Sequence, residues 1–203
     1  MDSSSTTRDR ILDAADALLH RLGPAKVGVV DVARALGMSH ANVYRHFESK
    51  AALRDAVVER WLHNVSAPLA EVAASDIDPS ARLAAWLWAL IHAKRRKVLD
   101  DPEMFATYHL VAGEAREVVE RHIGELRSQV ARIIQDGIDS GSFAQRDALA
   151  AAGAVLNATA PFHHPHFLRD PIMRAGDAEA TAAIELLLAG LATPAAPAAR
   201  PVG

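Results

Sequence analysis

Val30-Asp-Val-Ala-Arg-Ala-Leu-Gly-Met-Ser-His-Ala-Asn-Val-Tyr-Arg-His-Phe-Glu-Ser-Lys50 reads as two short helices around a tight turn, with a third helix beginning behind them. Val32, Ala33 and Leu36 fall at i, i+1 and i+4, which gives the first helix one apolar stripe. Gly37 stands where a helix ends on a residue of positive φ, a conformation glycine adopts without steric cost. Ser39 carries a side-chain oxygen suited to cap the next helix, about Ala41 to His46. Val43 and Phe47 give that helix a buried side at i, i+4. His40, Asn42, Tyr44, Arg45 and His46 fill its other faces with hydrogen-bond donors. Ser49 suits a cap for a helix starting at Lys50. A helix, a Gly-containing turn and a polar-faced second helix make a helix-turn-helix. The same spacing also suits three ordinary core helices with a solvated face.

Seventeen residues, Gly37-Met-Ser-His-Ala-Asn-Val-Tyr-Arg-His-Phe-Glu-Ser-Lys-Ala-Ala-Leu53, resemble the signature of the tetracycline-repressor family of bacterial one-component regulators. The fixed points of that signature are Gly-x-Ser, an aliphatic residue before Tyr-x-His-Phe, and Ser/Thr-Lys ahead of a Leu, and all are present. The specific match covers roughly the first third of the chain. The resemblance implies a DNA-binding head followed by a larger helical body that dimerises and binds a small effector. It implies that His40, Ala41, Asn42 and Arg45 face bases or nearby backbone, with Arg45 suited to guanine and Asn42 to adenine. Ser39, Tyr44, His46 and Lys50 would hold phosphates, positioning the head without reading sequence. One position departs from the pattern. Relatives usually carry Thr at the place of Gly28, where it caps the second helix and touches a phosphate. Gly28 can cap but has no hydroxyl, which leaves its N–H as the group to reach a phosphate.

Composition sets wider bounds. The chain has 203 residues, enough for one or two modest domains, and is half hydrophobic and poor in aromatics, which suits packed helices. No run of apolar residues is long enough for a transmembrane helix, and the N-terminus lacks the basic and apolar regions of a signal peptide, so a cytoplasmic protein is expected. Without cysteine there is neither a disulfide framework nor thiolate chemistry. The net charge of −3 is unevenly spread: residues 1–66 carry nine Lys/Arg against eight Asp/Glu, and the remainder thirteen against seventeen. The acid excess thus lies outside the proposed reading head, whose few cations predict modest, salt-sensitive non-specific affinity for DNA.

Taken in order, the polar residues 1–6 read as disordered. Arg8 to Leu22 is an amphipathic helix with Ile11, Leu12, Ala15, Leu18, Leu19 and Leu22 inward, stopped at Gly23-Pro24, with Lys26 in the connection. The helix from Lys50 presents Leu53, Val57, Trp61 and Val65 at intervals of four and ends near Val65, before Pro68. Asp78-Pro79 and Asp101-Pro102 are helix starts, Asp as cap and Pro at the first position. Leu83, Trp86, Leu87, Leu90 and Ile91 line the first of these helices, and the basic run Lys94 to Lys97 reads as its solvated end. Met104, Phe105, Tyr108, His109 and Ala112 share a face of the second. From Glu117 to Ile138 a long helix turns Val119, Ile123, Leu126, Val130, Ile133, Ile134 and Ile138 inward. Asp147 opens a helix through Thr159, broken by Pro161. Asp177 opens the last, striped by Ile184, Leu187, Leu188 and Leu191. The small and aliphatic faces of these two closing helices suit a four-helix dimer bundle and equally a monomer core. From Pro194 onward the tail reads as disordered.

The chain therefore reads as all-α, with about nine helices. Residues 1–49 form the helix-turn-helix domain, 50–193 the effector-binding and dimerisation domain, and 194–203 the tail. Trp86, Phe105, Tyr108, His109, His122, Asn157, Phe162 and His163 are the candidate effector-lining residues of an apolar pocket with a few polar groups. His163-His-Pro-His166 is a dense histidine loop, but its spacing matches no metal motif, and no metal ligand or cofactor is assigned. A metal-responsive regulator built on the histidines is the alternative reading. Phosphate loops, nucleophile elbows and His-Glu-x-x-His helices are all missing, so the chain is not read as an enzyme. The expected function is a homodimeric repressor bound to a palindromic double-stranded operator and released by a small-molecule effector, with no membrane partner.

Overall fold

The computed structural model describes residues 6–23, 27–170, 173 and 175–193. The expectations for residues 1–5, for Pro24 and Lys26, and for the tail from Pro194 fall outside these residues. Among the described residues there is no strand, and ten helices follow one another. They are α1 Thr7–Leu22, α2 Val29–Ala35, α3 His40–Tyr44, α4 Lys50–Ala73, α5 Pro79–Asp100, α6 Pro102–Glu114, α7 Arg116–Asp139, α8 Ala148–His163, α9 Pro165–Arg169 and α10 Asp177–Ala192. None is long and apolar enough to cross a membrane.

The chain divides into two compact units. The first comprises the residues through Asn64 together with Leu99–Ile123, and the second Val65–Val98 with Gly124 onward. In the first unit, α1 starts on a reciprocal cap: Thr6 Oγ1 accepts from Asp9 N–H (3.2 Å) and Asp9 Oδ2 accepts from Thr6 N–H (3.1 Å). Its inward residues Ile11, Leu12, Ala15, Leu18 and Leu19 join Val29, Val32, Ala33, Val43, Phe47, Leu53 and Val57 in one core. Val111, Ala115 and Val118 complete that core. So α6 and the beginning of α7 pack with the N-terminal helices, a grouping that the residue-49 boundary does not follow. Arg60–Asp13 (2.6 Å) and Arg54–Glu114 (2.7 Å) are ion pairs at its surface.

The second unit is built on Leu69, Leu83, Trp86, Leu87, Leu90, Ile91, Val130, Ile133, Ile134, Phe162 and Ile184. A buried polar chain crosses it: Trp86 Nε1–H donates to Gln129 Oε1 (2.9 Å), and Gln129 Nε2–H donates to the Ser66 carbonyl (3.2 Å). Each group is satisfied by the next, which is the condition for keeping polar atoms in an apolar interior.

Several expectations need correction. α4 does not end before Pro68 but runs to Ala73 with the proline inside it. Likewise α8 passes through Pro161 to His163. The histidine loop is therefore helical on both sides: His164 caps α9, whose first residue is Pro165, and its Nδ1 accepts from His166 N–H (3.2 Å). The basic run is not a solvated helix end. α5 continues to Asp100, and Arg95 is held by the Asp177 carboxylate and the Ala175 carbonyl (2.8 Å) at the start of α10. Ile123 is exposed rather than inward, at the point where α7 leaves the first unit, and Val111 rather than His109 is buried on α6.

Candidate nucleic-acid interface and effector residues

The turn between α2 and α3 is closed by backbone alone. Gly37 has φ +63°, its N–H bonds Arg34 O (3.2 Å), and Met38 N–H bonds Ala33 O (3.0 Å). Ser39 Oγ then accepts from Asn42 N–H (3.2 Å), starting α3. Val43 and Phe47 are buried and fix that helix to the core of its unit. With those two inward, Ser39, His40, Ala41, Tyr44, Arg45 and His46 lie exposed and Asn42 is half-buried. Lys50 is exposed at the first residue of α4, behind the Ser49 Oγ cap on Ala52 N–H (3.0 Å). Among the described residues, the side chains of His40, Tyr44, Arg45, His46 and Lys50 have no hydrogen bond or ion pair. Their donors are uncommitted.

Gly28 behaves differently from expectation. It is the N-cap residue of α2, and its N–H donates to Asp31 Oδ2 at 3.1 Å. The backbone donor expected to reach a phosphate is thus already taken by a carboxylate, which would also repel an anion. A residue that the sequence reading passed over stands nearby: the Arg8 guanidinium lies 5.1 Å from the centre of the Phe47 ring. Arg8 lines an open groove of about 450 Å³ together with Tyr44, Arg45 and His46. An arginine in the first turn of α1 was the available signal, and only its position over the Phe47 ring gives it meaning.

The eight effector candidates divide evenly between the units. Phe105, Tyr108, His109 and His122 belong to the first, and Trp86, Asn157, Phe162 and His163 to the second. Trp86 is fully buried with its N–H spent on Gln129. Phe105, His122 and Phe162 are buried, and Tyr108 is half-buried with its hydroxyl on Asp16 Oδ1 (3.2 Å). Burial and the nearby Asp16 carboxylate hold the Tyr108 hydroxyl far above the usual phenol range. His109 is exposed, and so is Asn157, on the face of α8 that also carries Ala150, Ala154 and Ala158. His163 is half-buried and contacts Thr159 Oγ1 at 3.2 Å. Burial, with Lys94 and His164 nearby, pushes its pKa down to about 4, so it stands neutral at pH 7. Lys94 is itself lowered to about 8 by burial and by Lys97. Among the described residues no three His, Asp or Glu side chains converge as a metal site would require.

Two family profiles match this chain. The profile of tetR-family bacterial regulatory proteins covers residues 11–57, and that of the tetracyclin repressor-like C-terminal domain covers residues 79–184. An uncharacterised HTH-type transcriptional regulator of Mycobacterium tuberculosis is 35% identical over 100 residues, which is 49% of this chain and 48% of that protein. The chain thus spans about half the length of that relative. The HTH-type transcriptional repressor KstR2 of Rhodococcus jostii is 28% identical over 68% of this chain and 69% of its own. Among solved structures, a protein of unknown function from Rhodococcus sp. RHA1 superposes with a TM-score of 0.68 at 27% identity, over 94% of this chain and 98% of that one.

Proposed function

The chain belongs to the tetracycline-repressor family of bacterial regulatory proteins, and from that premise we propose that it is a DNA-binding transcriptional repressor. Residues 1–49 act as the reading head, 50–193 as the effector-binding and dimerising body, and 194–203 as a tail. α3 enters the major groove. Arg45 pairs with guanine, Asn42 with adenine, and His40 and Ala41 lie close to the bases. Ser39, Tyr44, His46 and Lys50 hold phosphates, and Arg8 joins them in place of Gly28, whose N–H is occupied by Asp31. Two copies related by a two-fold axis read a palindrome. The observation that carries this reading is the exposed, uncommitted donor set of α3, held outward by buried Val43 and Phe47.

The repressor sign is supported by the likeness to KstR2, a transcriptional repressor. A small effector binds the body, favours a state in which the two heads no longer fit the operator, and releases DNA by that difference in affinity. Trp86, Phe105, Tyr108, His109, His122, Asn157, Phe162 and His163 remain the candidates for its contacts.

Selection of genomic fragments by the purified chain at stated salt tests the proposal. A recovered palindrome supports it. Binding that is sequence-blind and vanishes with salt would sink it, because phosphate contact alone carries no sequence information.

A further inference from the structure

The N-terminal unit contains a cavity of about 610 Å³ that none of the effector candidates lines. Its volume falls within the roughly 300–1,000 Å³ typical of small-molecule sites. α1 contributes Ala15 and Leu19, the entry to α2 Val27 and Gly28, α4 Leu53 and Val57, and α6 Leu110 and Val111. These make the walls apolar. Three charged side chains also line it: Lys50, Arg54 and Glu114. Arg54 is committed to Glu114 (2.7 Å) and Asp55 (3.0 Å). Lys50, by contrast, has no ion pair or hydrogen bond among the described residues. The lining therefore carries one positive charge in excess, located on Lys50.

We propose that this cavity is a binding site for an amphipathic monoanion, an apolar body with one carboxylate, and that the carboxylate sits on Lys50. The apolar body lies against Leu19, Val27, Leu53, Val57 and Val111, exchanging water-exposed surface for contact. Lys50 would repel a cationic ligand and add nothing to a neutral one, which is why an anion is specified. The site has a consequence that rests on the DNA-binding reading above. Lys50 is assigned there to a phosphate, so a carboxylate on the same ammonium competes with DNA for it. This site lies wholly within the unit that carries α3, and its occupant antagonises binding without acting through the other unit.

Titration calorimetry of the whole chain with decanoate and, separately, with decanol tests the site. Ala51 is exposed and lines the cavity, so Ala51→Trp blocks it without a core change. The expected result is one decanoate per chain, affinity weakened about tenfold or more by Lys50→Gln, and binding abolished by Ala51→Trp. Decanol should bind more weakly and be indifferent to Lys50→Gln. Decanoate binding that survives Ala51→Trp unchanged overturns the proposal, as does the absence of binding. DNA competition is measured separately. A chain that recovers no operator sinks the DNA-binding reading and leaves the calorimetry to decide the cavity.

Discussion

Replacing Arg45 with alanine removes a guanidinium that is exposed and has no ion pair among the described residues, so folding should be indifferent to the change. Operator affinity should fall by about 1–3 kcal/mol, and one base position should lose its preference. Lys50→Ala should instead weaken all sequences alike and reduce the salt slope by about one counterion. Fluorescence anisotropy on the selected operator and its single-base variants, at several salt concentrations, separates the two. An unchanged base preference in the Arg45 variant would remove that residue from base reading. His163 makes a different residue-scale prediction. Its proton leaves near pH 4 in the folded chain and near the ordinary 6.5 in the unfolded one. Between those values the unfolded chain holds the extra proton, so stability is full above pH 6.5 and declines as the pH falls toward 4. Between pH 7 and pH 5 the loss from this group is on the order of 2 kcal/mol. Urea unfolding at pH 7 and pH 5 should show His163→Gln losing less stability than the unsubstituted chain, and equal losses would contradict the assignment. At this scale the sequence showed which α3 residues face outward, because the i, i+4 pair Val43 and Phe47 leaves the others no choice. It did not show that Asp31 occupies the Gly28 N–H, since Asp three residues after a cap is an ordinary helix residue until the hydrogen bond is seen.

Gly137 and Gly124 both lie inside α7, and their substitution by alanine should have opposite effects. A Cβ added at Gly137 would land in the Phe143 ring, which is itself buried and tied back by its N–H to Gly137 O (2.8 Å). Gly137→Ala should therefore destabilise by about 1–3 kcal/mol through overpacking. At Gly124 nothing lies within 4 Å, and alanine should gain up to ~1 kcal/mol of helix propensity. Urea midpoints at unchanged slope check the pair; a stabilising shift at Gly137 as well would show that Phe143 swings aside. Helix starts were legible because Asp78, Asp101 and Asp147 each accept from backbone N–H groups two or three residues on. Helix ends at proline were not. Interior proline costs roughly 3 kcal/mol or more. Continuing α4 past Pro68, however, buries Leu69 and Ala73, which extend the inward row of Val65 at intervals of four. A large aliphatic side chain is worth about 1.5–3 kcal/mol when fully buried, so Leu69, with Ala73 beside it, brings a gain comparable to the proline cost. Pro161 is tolerated on the same grounds, with Thr159 and Phe162 both buried around it. Local punctuation is readable from a sequence; the burial that outweighs it depends on partners far along the chain.

For the molecule as a whole, the outstanding issue is what covers the outer faces of α8 and α10. Leu149, Ala150, Ala154 and Ala158 are exposed on α8, and Ala182, Leu186, Ala189 and Gly190 on α10. Leu186 is 75% exposed, among side chains small enough for another helix to approach closely. Residue type alone does not divide such faces between a monomer core and a dimer interface, since both need the same small and aliphatic residues. The buried stripe on α10, Ala180, Ile184 and Leu191, uses up the part that serves the core and leaves the other part without cover in a single chain. If α8 and α10 pair with their copies across a two-fold axis, every substitution on that face acts twice. Leu186→Glu then places two carboxylates in an apolar contact, where burying an unpaired charge costs several kcal/mol. Sedimentation equilibrium should find the unsubstituted chain dimeric and the variant monomeric at micromolar concentration. Its far-UV spectrum should be unchanged, because in the single chain Leu186 already faces water. The monomer should also lose most affinity for a full palindrome, since two half-sites one helical turn apart can be read together only by two linked heads. A variant that stays dimeric would place the interface elsewhere and leave the exposure of Leu186 to be accounted for by a different partner.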